Sequence, residues 1–184
     1  VIDASCELLN LLFDGMTDGP ALLLENLWEP GLTMTDPEMT ARLLDGVRYA
    51  NKGIMLDTGH LMHTQPALQN QRQALSYIHT VLDRHGELCK AIRGVHLQQS
   101  ITGRYMRRIA KNPPEPAADY SGRSYQLFEY VFRVDQHKPF TCAGVPELIA
   151  RIAPEYLTFE FISNDLPQLR RMLHRQQNVF QKKI

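Results

Sequence analysis

Four ionisable side chains stand at or near the ends of four short apolar runs, and their types suit metal binding. Glu25 follows ALLL, Asp57 ends GIMLD, His96 lies within IRGVHLQQ, and Glu160 follows YLTF. Carboxylate-rich sets with one imidazole bind divalent ions, and we expect Mn²⁺ or Zn²⁺ here, with Mg²⁺ or Co²⁺ as alternatives. Three carboxylates gathered without a cation would repel, so that one would need a proton or a basic partner. The four residues therefore predict one divalent-metal site.

The elements that would position these residues alternate between strand and helix. Apolar runs predict strands over 21–28, 53–59, 92–99 and 156–163. Helical spacing, caps and breakers predict helices over 1–14, 36–50, 66–90 (bent near Gly86), 124–134, 145–153 and 165–182. This order is typical of an α/β fold with a parallel sheet covered by helices.

Two α/β architectures fit this order, and the ionisable residues favour one of them. A doubly wound sheet binds ligands at a switch point, whereas a TIM barrel carries functional residues at the C-terminal end of every strand. Each predicted strand carries such a residue, which favours the (β/α)8 barrel. A complete barrel has eight strands in about 250 residues. We therefore interpret residues 1–184 as a single domain, the C-terminal half of a barrel, with an insertion or lid over 101–134 after the third strand.

A half barrel would leave two strand edges unpaired and an apolar inner face uncovered. We expect an N-terminal half upstream of Val1, or a second copy of the chain, to close the barrel. The charges of the chain are balanced, with 20 Lys plus Arg residues and 20 Asp plus Glu residues. Nothing in this balance favours nucleic acid or an anionic membrane as partner. No apolar stretch approaches the roughly 20 residues of a membrane span, and three scattered cysteines predict reduced thiols in a cytoplasmic protein.

The segments LLLENLW, IMLDTGH, GVHLQQS and YLTFEFIS resemble, in this order, the last four strands of the xylose-isomerase-like TIM barrels. That group contains sugar-phosphate isomerases and epimerases as well as DNA-repair enzymes of the endonuclease IV type. Its most specific element here is Asp57-Thr58-Gly59-His60, which is similar to the group's Asp-x-x-His. The resemblance implies that Glu25, Asp57, His96 and Glu160 bind one metal ion. It also implies that His60 either contacts substrate or joins a second metal.

A further match is VDQHKP, where Asp135, His137 and Pro139 are similar to the Asp-x-His-x-Pro element after the seventh strand of these families. There the pair either binds an extra metal, here together with His60, or lies beside the substrate. The chain departs from the family where Gly-Glu-Gly often follows, having Thr141-Cys142-Ala143-Gly144 instead. An Asp-x-His in a loop otherwise serves local turn chemistry.

Other candidates are weaker. Trp28, three residues past Glu25, either walls the pocket or packs in the interior. Arg104 opens a basic run after the third strand and either pairs with a substrate phosphate or carboxylate or belongs to a solvated helix face. The remaining histidines lack a partner at a telling position and are interpreted as surface or helix-packing residues: His63, His79, His85 and His174.

Three functions follow from these interpretations. The first is a metal-dependent sugar or sugar-phosphate isomerase or epimerase, in which the resemblance implies that Glu25 and Glu160 are also the bases and His60 assists them. The second is phosphodiester hydrolysis of the endonuclease IV type, with Asp135, His137 and His60 completing a metal cluster. The third is a catalytically silent barrel that keeps the metal for structure or for binding a small molecule.

Overall fold

A parallel sheet forms the centre of the computed structural model, which describes residues 1–28, 32–111 and 115–181. Within these residues the sheet has four strands, and each strand pairs with the one before it in the chain, in the order β1-β2-β3-β4. The bounds are β1 Leu22–Glu25, β2 Lys52–Asp57, β3 Ile92–Leu97 and β4 Tyr156–Phe159. The predicted α/β class and the four parallel strands are confirmed.

Helices fill the segments between the strands. Their bounds are α1 Ile2–Leu12, α2 Pro37–Gly46, α3 Thr58–His63, α4 Gln71–His85, α5 Gly103–Ala110, α6 Tyr120–Val134, α7 Val145–Ile152 and α8 Leu166–Gln181. Residues 112–114 of the predicted insertion and residue 182 of the predicted last helix lie outside the described residues. None of the helices in the described ranges is long and apolar enough to cross a membrane.

Side-chain caps explain where several helices begin. Asp36 accepts a hydrogen bond from the backbone N–H of Glu38 at 2.9 Å, and Pro37 occupies the first turn of α2. The bounds predicted for helix 66–90 are wrong. The α-helix α4 begins after its N-cap Asn70 and ends at His85, and a 3₁₀ helix follows from Gly86 to Ala91. Gly86 has φ 51°, which suits glycine and places the expected break there. Asp119 caps α6 and starts it four residues earlier than expected.

The hydrophobic core lies between one face of the sheet and the covering helices. Ile54 and Leu56 of β2 and Val95 and Leu97 of β3 are fully buried there. They pack in one cluster with residues of the helices and of the loop before α7, among them Ile78, Leu82, Phe140 and Leu148. Because side chains alternate along a strand, the residues between these apolar ones point to the other face.

The N-terminal ends of the strands are tied together by one arginine. Arg93, at the start of β3, makes two hydrogen bonds with the carboxylate of Glu155 at 2.6 and 2.8 Å. Its Nη1 also donates to Oδ1 of Asn51 at 2.8 Å. Since Glu155 precedes β4 and Asn51 precedes β2, this end of the sheet is held by contacts across three strands.

Candidate metal centre

The strand register places the four predicted ligands on one face of the sheet. Asp57 pairs with His96, and His96 pairs with Thr158. Glu160 lies two residues beyond Thr158, and Glu25 pairs with Met55, which lies two residues before Asp57. Since residues two apart on a strand share a face, all four side chains leave the sheet on the face opposite the helix-covered core.

The ligand atoms of these residues converge. One carboxylate oxygen or ring nitrogen from each of the four lies within 4.8 Å of all the others. His96 Nδ1 is central to the group, at 3.0 Å from Glu160 Oε2 and 3.3 Å from Glu25 Oε1. Its distance to Asp57 Oδ2 is 3.9 Å. Among the described residues, this is the one group of three or more such side chains that converges in this way.

Asp57 has two roles because it stands where a strand changes into a helix. The prediction that the strand extends to Gly59 is wrong: α3 begins at Thr58, and Asp57 is its N-cap. Asp57 Oδ1 accepts the backbone N–H of His60 at 2.7 Å, while Oδ2 is buried without a hydrogen-bond partner among the described residues. One oxygen therefore holds the helix, and the other is left for a ligand.

The residues present fit a divalent ion. Asp57 Oδ2 and Glu160 Oε2 are both buried and lack a hydrogen bond within the described part of the chain, although buried polar atoms are normally paired. The contact between Glu160 Oε2 and His96 Nδ1 is short but lacks hydrogen-bond geometry. Three carboxylate oxygens and one imidazole nitrogen thus lie within 4.8 Å of one another. Donor atoms of these types bind Mn²⁺ and Zn²⁺ in proteins.

The pKa values of the four-residue group reflect its excess of carboxylates. The carboxylates of Glu160 and Glu25 raise the pKa of His96 to about 10. Burial raises the pKa of Asp57 to about 7, against the lowering effect of His60. Contacts with His137 and then His96 lower the pKa of Glu160. Without a metal ion, the group therefore holds protons to balance its carboxylates.

The residues predicted as a second ligand set meet around Asp135. Its Oδ2 lies 3.2 Å from His60 Nε2, and its Oδ1 lies 3.5 Å from His137 Nδ1. His137 Nε2 in turn lies 3.6 Å from Glu160 Oε1, which joins this group to the first. Asp135 thus contacts both histidines, while a second metal bound by the three residues stays a prediction.

Charge is strongly coupled in this second group. Burial opposes ionisation of Asp135, but its contacts with His60 and His63 and the hydrogen bond from Ser100 lower its pKa well below the usual range. Burial lowers the pKa of His60, and contacts with Asp135 and Asp57 outweigh it and raise the value to about 9. Asp135 is therefore ionised, and His60 is the cation beside it near neutral pH.

His63 belongs to the site, and its interpretation as a surface or packing residue is wrong. Its side chain is 2% exposed, and its Nε2 lies 3.7 Å from Asp135 Oδ1. Nε2 has no hydrogen-bond partner among the described residues. The signal was local: once Asp57 is recognised as a helix cap, His60 and His63 are three residues apart and share a helix face.

Trp28 lies beside these histidines. Its ring centroid is 4.7 Å from that of His60 and 5.1 Å from that of His63. Trp28 therefore forms a wall next to the cluster, as one of the two interpretations expects. Arg104 is exposed on α5, and no hydrogen bond or ion pair found in the described ranges joins it to the cluster. Its role in substrate binding stays a prediction.

Three amide and hydroxyl residues that the sequence did not single out orient the acids. Asn26 is fully buried, accepts the backbone N–H of Asp57 at 2.8 Å and donates to the Asp57 carbonyl at 3.1 Å. Gln98 donates from Nε2 to Asp57 and to Asp135, both at 3.1 Å. Ser100 donates to Asp135 at 2.7 Å. Such partners fix the orientation of metal ligands.

Comparison with known proteins adds no further identification. No protein-family model matches the chain, and no curated protein matches its sequence. The resemblance to xylose-isomerase-like barrels therefore remains one of motifs, and the chemistry of the site follows from the geometry given above.

Proposed function

We propose that this protein is a divalent-metal-dependent isomerase or epimerase of sugars or sugar phosphates. The observation that carries the proposal is the convergence of Glu25, Asp57, His96 and Glu160 within 4.8 Å. A divalent ion bound by these four would supply positive charge where an oxygen of the substrate becomes negative. The reaction removes a proton from a carbon next to a carbonyl group and later returns one. It therefore requires a basic side chain close to the carbonyl oxygen on which negative charge develops.

Differences in exposure support base roles for the two glutamates. Asp57 is completely buried, whereas the side chains of Glu25 and Glu160 are 35% and 39% exposed. A substrate can therefore reach the glutamates but not the aspartate. One glutamate would take the proton from the carbon next to the carbonyl, and either glutamate would return a proton to complete the isomerisation or epimerisation.

His60 and Trp28 are suited to positioning the substrate. The ring of His60 is held by two groups, since its Nδ1 donates to the carbonyl of Asn26 at 2.8 Å and its Nε2 faces Asp135 at 3.2 Å. The cationic ring lies 3.4 Å from Glu25, where it can stabilise a developing negative charge. Trp28 adds an apolar wall against which a sugar ring can pack.

We also propose that the sheet is half of a (β/α)8 barrel. Three strand spacings separate β1 from β4, about 14 Å in a flat sheet, yet ligand atoms of Glu25 and Glu160 lie within 4.8 Å. Curvature toward the ligand face would bring them together. Strand order without reversal is also typical of a barrel. Closure by an N-terminal half or by a second copy follows from this proposal.

Metal-dependent phosphodiester hydrolysis is the second candidate, and one observation favours it. His60, His63 and His137 surround Asp135 next to the first ligand group, and hydrolysis of phosphodiesters commonly uses more than one metal ion. The isomerase mechanism proposed above uses only the ion bound by the first ligand group. The number of ions bound at saturation is therefore informative.

Solvent deuterium exchange tests the proposal. The intact protein with added Mn²⁺ is incubated in D2O with ketoses and ketose phosphates, and incorporation at carbon is followed by NMR. We expect deuterium incorporation with the unchanged protein and none with Glu160→Gln. The metal content of both proteins is measured in parallel. Glu147→Gln, which changes an exposed acid on α7, is the matched control and should exchange normally. Nicking of an abasic DNA duplex without any exchange would replace the isomerase with the hydrolase.

A further inference from the structure

A polar cavity separate from the metal centre lies between α4, the loop after His137 and α8. Its volume is about 410 Å³, and none of the proposed metal ligands lines it. Arg171 and Arg175 contribute to its wall from α8. They are four residues apart, so they share a helix face. The described residues that line the cavity include neither Asp nor Glu.

The wall offers mainly hydrogen-bond donors. Gln71 Oε1 already accepts the backbone N–H groups of Thr141 and Cys142, at 2.8 and 3.1 Å. Gln168 Oε1 likewise accepts the N–H of Asn164 at 2.8 Å. Because their oxygens are occupied, these two lining glutamines have their amide N–H groups to offer.

Among the described residues, the charged side chains of this wall are all positive. Arg171 and Arg175 are exposed, and neither makes an ion pair with any residue in the described ranges. Lys138 also lines the cavity, and it keeps its charge, since its ammonium group donates to the neutral amide of Gln136 at 2.7 Å. An anion in the cavity would therefore meet three cationic side chains.

Gln99 supplies one buried acceptor. It is only 7% exposed, and its Oε1 is buried without a hydrogen-bond partner among the described residues. Its neighbour Gln98 points at Asp57 and Asp135, and successive side chains of an extended segment face opposite ways. Gln99 thus faces away from the metal centre and into the cavity wall, where a buried oxygen requires a donor.

We propose that this cavity binds a phosphate ester that also carries a hydroxyl group, that is, a phosphorylated sugar or polyol. The guanidinium groups of Arg171 and Arg175 pair with the phosphate oxygens. The amide groups of Gln71 and Gln168 donate to the same anion. A hydroxyl of the ligand donates to Gln99 Oε1, which requires the amide group to turn toward the cavity because this oxygen is buried. The site is independent of the isomerase proposal, because it shares no residue with the metal centre.

One stretch of backbone connects the cavity wall with the metal centre. The backbones of Gln99 and Lys138 are paired, with N–H to carbonyl distances of 2.8 and 3.2 Å in the two directions. Lys138 directly follows His137, which contacts Glu160.

Calorimetric titration of the full chain tests the site, with ribose 5-phosphate, inorganic phosphate and ribose as probes, each with added metal and with a chelator. We expect ribose 5-phosphate to bind more tightly than inorganic phosphate, and ribose to give no signal. Arg171→Gln and Arg175→Gln should each weaken binding about tenfold, and Gln99→Leu about fivefold. The matched control is Arg170→Gln, which removes an exposed charge of α8 outside the cavity lining and should change affinity less than twofold.

Further outcomes decide the location and the ligand class. His96→Ala should keep the affinity for ribose 5-phosphate measured in chelator, because the metal centre does not contribute. Loss of binding in His96→Ala, or equal losses in Arg170→Gln and Arg171→Gln, would overturn the site. Equal affinity for inorganic phosphate and ribose 5-phosphate would overturn the role given to the hydroxyl and Gln99.

Discussion

Gly59 lies directly against the side-chain amide of Gln98, so a Cβ atom at position 59 would overlap the amide carbon and both of its polar atoms. That amide donates to Asp57 and to Asp135 at 3.1 Å each. The missing side chain at position 59 therefore provides the space for the group that orients two acids of the site. A glycine in the Asp-Thr-Gly-His element is needed for packing rather than for an unusual backbone angle, since its φ is not positive.

Gly59→Ala should lower the affinity for the divalent ion by about 10- to 100-fold, the range found when partners of metal ligands are changed. The added methyl group displaces Gln98 and leaves Asp57 and Asp135 without their shared donor. Competition titration with a chromophoric chelator measures the change.

The control for Gly59→Ala is a double-mutant cycle with Gln98→Ala. Removal of the Gln98 side chain makes room for the methyl group, so the double variant should bind metal no more weakly than Gln98→Ala alone. If the losses of metal affinity in the two single variants added up in the double variant, Gly59→Ala would not act through Gln98.

Elemental analysis should find about one tightly bound divalent ion per chain. His96→Ala and Asp57→Asn should each reduce occupancy to near zero, because each removes one of the four converging donors. His174→Ala, on the exposed face of α8, should leave occupancy unchanged. Full occupancy in His96→Ala would refute the ligand assignment.

The stability of the metal-free protein should fall as pH rises from about 6.5 to about 10. The pKa of His96 rises from 6.5 to about 10 on folding, so its protonated form stabilises the native state fully below pH 6.5. This contribution disappears as pH passes the folded pKa. Asp57, whose pKa rises from 3.8 to about 7, acts in the same direction over a lower range.

Thermal unfolding across this pH range, with chelator and with Mn²⁺ or Zn²⁺, measures the effect. A bound ion replaces the protons, so the difference in Tm between the two states should widen toward alkaline pH. His96→Ala should reduce the pH dependence above 7, and His60, whose pKa is raised to about 9, should account for part of what remains. A metal-free protein that gains stability between pH 7 and 9 would contradict the prediction.

Asn26→Ala should reduce the free energy of unfolding by about 2–3 kcal/mol. It removes two buried hydrogen bonds to the backbone of Asp57 and takes away the acceptor of the Asp57 N–H. Urea denaturation measures the loss, and Asn164→Ala at an exposed position should change stability by less than about 0.5 kcal/mol. An equal effect in the two variants would remove Asn26 from the support of the site.

Leu157→Lys tests the proposed closure of the barrel. Leu157 lies on β4 at the edge of the described sheet and is 40% exposed, so a further strand or a second copy would cover this region. The charge should disrupt that association, which sedimentation velocity of the whole protein detects as a lower mass or a loosened particle. Leu11→Lys, on the exposed face of α1, is the control.

The sequence was sufficient to predict that the four candidate ligands converge, because their positions follow from a general property of parallel sheets. The C-terminal ends of parallel strands meet at one edge, so Asp57 and His96 are brought together whatever the exact bounds of the strands. The same argument needs no knowledge of loops. It accounts for the convergence of Glu25 and Glu160 as well.

The parts that were missed depend on features that a strand pattern hides. His63 was missed because the predicted strand ended at residue 59 and no helix was predicted between residues 59 and 66, whereas α3 brings His60 and His63 to one helix face. Gln98 carries no chemical signature of its own. Its role depends on contact with Gly59, which lies 39 positions away in the chain and is adjacent only after folding.

The ties that Arg93 makes to Glu155 and Asn51 lie toward the end of the sheet opposite the ligands, and Arg93 precedes His96 by three residues, about 10 Å, on β3. Selection can therefore act on the two ends separately. Substitutions around Arg93 can adjust how firmly the scaffold holds together while the ligand shell is conserved, and changes among the strand-end residues can alter chemistry on an intact scaffold. Such a division leaves a lineage free to acquire new substrates without first losing its fold.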